Sequence, residues 1–244
     1  MEDSVVLGAN KEYVQQTKKY NKNDAILAFA LYILMSLVLL LIGKIFVQKN
    51  LNLTETDIFK ITGIYSLIFI GLVFMICLVR KQKLFTVGFS MNQAKKSLII
   101  GMVFLMVTAS LFSIWFAITD PTIRTDYKII AMRSIYFLIF IGFTEELVFR
   151  GYIGTRLYGY FANKQNSIAI VGIMFSLMHI PFHMTIAQIN FIEYIANNWI
   201  NLIILAITHC GFQWLYSKYN SIIAPTILHF LINFIQWLIA YYSA

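Results

Sequence analysis

Three short groups of polar side chains interrupt the apolar second half of this sequence. Glu145, Glu146 and Arg150 fall within six positions of the run Ile139-Phe140-Ile141-Gly142-Phe143-Thr144-Glu145-Glu146-Leu147-Val148-Phe149-Arg150; His179 precedes Pro181 in a second run; His229 and Asn233 share a third. A charged residue at the centre of a membrane helix costs about 2.5–3.5 kcal/mol on insertion scales, so such groups are expected to face a bundle interior or a wet cavity. On a helix Glu146 and Arg150, four apart, share a face and can pair, whereas Glu145 points about 100° away and is left as the free carboxylate. His229 and Asn233 have the same spacing and project to one side. These residue types suit amide hydrolysis, which needs an activated water and donors for a tetrahedral oxyanion. Glu145 would take the proton from a water that His179 also holds, His229 and Asn233 would donate to the oxyanion, and Arg150 would hold Glu146 and so orient the turn that carries Glu145.

Other chemistries fit less well. Glu145, His179 and His229 could hold Zn²⁺, but there is no HExxH. The metal-free mechanism is favoured, with no cofactor required and zinc kept as the alternative. Taken singly, each of these histidines could be helix–helix glue. His183, read as part of a loop after Pro181, and His209, whose sole polar companion four residues on is Gln213, are read as structural. Pro181 is expected to end or kink its helix. No Ser or Cys stands beside a His and an acid as a nucleophile. Cys77 and Cys210 lie in apolar runs and read as small buried residues.

The elements that must carry these residues are membrane helices. The chain of 244 residues is 59% hydrophobic and 12% charged, too apolar for one soluble core. Seven stretches near the length needed to cross a bilayer lie at about 25–47, 59–79, 97–119, 129–155, 167–181, 199–217 and 221–243. The fifth is short, and 182–198 reads as a loop, an interfacial helix or part of an eighth crossing. The expected fold is therefore all-α, a polytopic transmembrane helical bundle of about seven to eight helices in the cell membrane. It divides into a polar N-terminal segment (1–24), scaffold helices (25–128) and a catalytic core (129–244). The formal charge of +8 sits in connections between apolar runs, which points to topology and not to nucleic acid. The 80–96 connection, with Arg80, Lys81, Lys83, Lys95 and Lys96 and no acid, is expected in the cytoplasm, together with the N-terminal segment and the 156–166 connection. The neutral 120–128 loop then lies outside.

In order, Glu145-Glu146-x-x-x-Arg150, Phe175-x-x-x-His179 and His229-x-x-x-Asn233 resemble the motifs of the CPBP (Abi) family. That family groups type II CAAX prenyl endopeptidases with bacteriocin-processing and self-immunity proteins. The resemblance covers roughly 140–235 and implies an intramembrane endopeptidase acting on a peptide or protein that enters from or near the membrane. It implies Glu145 as base, His179 as its partner, and His229 with Asn233 on the oxyanion side; it does not imply a prenylated substrate. Two rivals remain: a proton-coupled transporter, which would show matching interrupted helices in two halves, and an immunity protein that binds without cleaving.

Overall fold

The computed structural model describes residues 8–49, 52–119, 126–161 and 163–243, with side chains as far as Ile239 in the last helix. Polar caps start the early helices. Asn10 accepts from the first backbone N–H groups of α1 (Lys11–Thr17), and capping boxes built on Asn21 with Asp24 and on Thr54 with Asp57 start α2 (Lys22–Gln48) and α3 (Glu55–Val79). A 3₁₀ turn, Leu84–Val87, precedes α4 (Ala94–Thr119). Then come α5 (Tyr127–Tyr160), α6 (Lys164–Ala187), α7 (Phe191–Tyr219) and α8 (Ile223–Ser243). Helices α2 to α7 are long and apolar enough to cross a membrane, and α8 contributes the shorter apolar stretch Ile223–Ile239. This is the all-α bundle expected, and the chain is a multi-pass membrane protein whose outer faces expose apolar side chains such as Leu67, Ile118 and Ile203. Residues 120–125 of the loop expected outside, and residues 1–7 of the polar segment, lie outside the described residues.

Two expectations need correction. Pro181 neither ends its helix nor leaves His183 in a loop: α6 runs through both to Ala187. The proline withdraws one backbone donor, but the turn beyond it is held from outside, with Phe182 edge-on to Phe46 of α2 at 5.6 Å and Thr185 against Gly43. The 182–198 stretch is likewise no eighth crossing. Its halves complete α6 and begin α7, and the two helices join through Gln188 in the left-handed region (φ 55°).

Helix α5 is the axis of the bundle. Every residue from Thr144 to Tyr158 is buried, enclosed by α2, α3, α6 and α7. A helix buried all round cannot show the one-sided apolar stripe of a surface helix. It is also irregular: π-helical stretches at Tyr136–Phe143 and Leu147–Gly154 flank a single α-helical turn, Thr144–Glu146, which holds the carboxylate pair. At Gly142 the α8 backbone comes so near that an added Cβ would lie 3.3 Å from the Thr226 carbonyl oxygen.

One face of the bundle gathers α1, the 80–93 connection and the α7–α8 turn. The Asn10 N–H donates to the Ser217 carbonyl (2.9 Å), Gln16 donates to the Asn220 side chain (2.8 Å), and Phe89 bridges Ser221. Gly88, at φ 98°, has Ile222 and Tyr216 where a side chain would go. Tyr13 packs fully buried between Tyr158 and Tyr216, and burial holds its phenol well above the usual range, so this aromatic seam is uncharged.

Candidate active site

The turn Thr144–Glu146 carries both carboxylates into the bundle centre. Glu146 and Arg150 are wholly buried and form an ion pair, Nε to Oε2, at 3.1 Å. The second Glu146 oxygen takes a hydrogen bond from His229 Nδ1 at 2.8 Å, and His229 Nε2 lies 3.6 Å from Glu145 Oε2. His229 is thus shared between the two acids, and α8 is bound to α5 through it. Glu145 Oε2 is buried and has no hydrogen-bond partner among the described residues.

The remaining residues gather around Phe175. His179 donates Nδ1–H to the Phe175 carbonyl at 2.9 Å, since a carbonyl can only accept; in the neutral ring this leaves Nε2 as an acceptor. The Arg150 guanidinium lies 4.7 Å over the Phe175 ring and contacts His209 Nδ1, while His209 itself stacks against Phe175, with centroids 3.4 Å apart. His209 therefore belongs to the cluster, although its spacing alone reads as structural. His183 lies parallel to His179 at 6.1 Å and to Tyr194 of α7 at 6.4 Å.

Two cavities meet here. One, of about 420 Å³, is lined by His179, His183, His209, His229 and Asn233 together with polar residues of α7 such as Asn198. The other, of about 270 Å³, is more apolar and holds Glu145, Tyr65, Phe182 and again His179, His183 and Asn233. His179, His183 and Asn233 form the shared wall. All six residues singled out in the sequence thus converge, Asn233 by lining both cavities and the other five by contact within the cluster. What sequence reasoning missed is the α7 wall. Its signal was present as Tyr194, Asn198, Asn201 and Thr208 recurring at helical spacing on a membrane helix.

The donors do not form a cage for a metal: no group of three or more His, Cys, Asp or Glu among the described residues converges on one point. The Nδ1 atoms of His179 and His229 donate to Phe175 and Glu146, which leaves both Nε2 atoms as acceptors. As placed, the described side chains do not assemble a zinc site.

A multi-pass bundle that buries a carboxylate pair, an arginine and histidines against two cavities is the architecture of an intramembrane enzyme. Residues 127–235 match the family model described as Type II CAAX prenyl endopeptidase Rce1-like, and this part of the chain is a domain of that family. The protein is accordingly an intramembrane endopeptidase. Comparison with curated proteins gave no match, and comparison with solved structures gave none.

Proposed function

We propose that the protein cleaves a membrane-associated peptide bond with a water activated by Glu145 and His179, without a metal. One observation carries the reading: Glu145 lines a cavity together with His179 and Asn233, and its buried Oε2 has no hydrogen-bond partner among the described residues. A buried acceptor left unsatisfied by the protein is where a water would donate. Such a water gives one hydrogen to Glu145 and the other to His179 Nε2, which aims its lone pair at the scissile carbonyl carbon.

As the water oxygen bonds to that carbon, its proton passes to Glu145, and the Asn233 carboxamide donates to the developing oxyanion. The proton then moves to His229 Nε2, 3.6 Å from Glu145, and from there to the amine nitrogen as the C–N bond breaks. Glu146 receives the Nδ1–H of His229 throughout, and Arg150 balances Glu146. The apolar cavity suits the membrane-borne part of the substrate, and the polar one suits the supply of water.

Peptide termini from membranes and medium of cells carrying the wild type, compared with cells carrying Glu145→Gln at equal protein level, test this. Particular cleaved ends should vanish in the variant. If no ends change while protection against a bacteriocin persists, Glu145 is no base and a non-cleaving immunity role replaces this reading. Metal independence has its own check: purified enzyme stripped with a chelator should keep full activity, and recovery only on adding zinc would overturn the mechanism.

A further inference from the structure

A second polar cavity lies far from the active site, on the face that gathers α1 and the 80–93 connection. It measures about 350 Å³, and its walls are the α1–α2 junction on one side and the segment after α3 on the other. Lys19, Arg80, Lys81 and Lys83 line it against one acid, Asp24. That acid is already saturated. Its Oδ1 accepts from Arg80 (3.2 Å) and Gln82 (2.9 Å), and its Oδ2 accepts the Asn21 N–H that caps α2 (3.1 Å).

Behind the cavity floor sits Arg156, wholly buried, with no carboxylate in contact among the described residues. Its guanidinium donates to Gln82 Oε1 (2.5 Å), Thr155 Oγ1 (2.6 Å) and the Thr86 carbonyl (3.3 Å), and lies over the rings of Tyr20 and Tyr152. Tyr20, Gln82 and Thr86 are themselves cavity wall, so the charge is one side chain away from the space. Its Nε has no hydrogen-bond partner among the described residues. Neutral groups can orient a buried cation but do not balance its charge.

We infer that this cavity binds a phosphate group, with three lysines in its rim that have no ion pair among the described residues and the Arg156 charge beneath it. Its place is at headgroup height, between the start of α2 and the end of α3, and the exposed Leu78, Val79 and Leu84 flank it as a surface for acyl chains. The phosphate can therefore arrive on an anionic phospholipid or as a soluble ion, and the site is independent of the cleavage reaction.

The full-length protein in phosphatidylcholine nanodiscs, with and without phosphatidylglycerol, and separately with inorganic phosphate, separates these sources. Thermal unfolding is the readout. The variant Lys19→Gln/Lys83→Gln removes one charge from each wall. Lys95→Gln/Lys96→Gln, at the exposed start of α4 on the same face, removes equal charge elsewhere. Phosphatidylglycerol raising Tm by on the order of 4 °C in the wild type and the control pair, but not in the cavity pair, supports a lipid-borne phosphate. The same pattern with inorganic phosphate supports a soluble one. No shift in either arm, or a shift that both variant pairs lose or keep equally, overturns the site.

Discussion

Glu145 and Glu146 are neighbours in sequence with opposite situations. Glu146 is spent on Arg150 and His229, whereas Glu145 Oε2 has no hydrogen bond among the described residues and only His229 Nε2 near it, at 3.6 Å. Removing Arg150 therefore strands a buried charge, and Arg150→Met should cost about 3–5 kcal/mol of unfolding free energy, read by denaturant titration in detergent. Arg150→Lys restores the charge but not the reach from Glu146 to His209, and should recover only part of it. Glu145→Gln strands nothing, so it should abolish cleavage while leaving the unfolding midpoint unchanged or higher. That contrast checks the division of labour between the two acids. All six residues were singled out in the sequence, four of them because each member of the pairs 146/150 and 229/233 is one helical turn from its companion. His209 was not, because its partner Arg150 lies 59 residues away on another helix.

At the scale of elements, apolar length located the helices α2 to α8, but not their interior irregularity. The π-helical stretches of α5 leave no mark in an apolar run, and Pro181 reads as a stop until the neighbouring α2 is known to brace the turn beyond it. Helices α6 and α7, which bring His179 and His209 to one site, meet at Gly172, where an added Cβ would lie 2.6 Å from the Ala206 carbonyl oxygen. Close backbone approach through a small residue is a common means of joining membrane helices. Gly172→Leu should force them apart, costing about 1–3 kcal/mol and lowering activity much more than the loss of folded protein accounts for, measured as specific activity per folded molecule.

Across the whole molecule, the basic connections expected on one side do lie together: Arg156 near the end of α5 reaches Gln82 and Thr86, and α1 docks on the α7–α8 turn. Counting seven crossings from that face puts the ends of α2 and α6 on the other. Single cysteines in a Cys77→Ala/Cys210→Ala background check this in whole cells with an impermeant thiol reagent. Asn52→Cys and Ala187→Cys should label from outside, and Asn92→Cys only after the membrane is broken. The reverse pattern would invert the topology. Positive charge in the loops made this arrangement legible, whereas the cavity it builds around Asp24 and Arg156 was not, since its walls come from segments more than fifty residues apart.

The docking of Asn10, Tyr13 and Gln16 onto Ser217, Gln213 and Asn220 also sets an order of events during synthesis. Helix α1 is made roughly two hundred residues before the segment that holds its partners. Until then its buried tyrosine and glutamine have nowhere to go. A nascent chain stalled before α7 therefore carries α1 without the surface it docks on, so an unfinished copy differs from a finished one at this one arm.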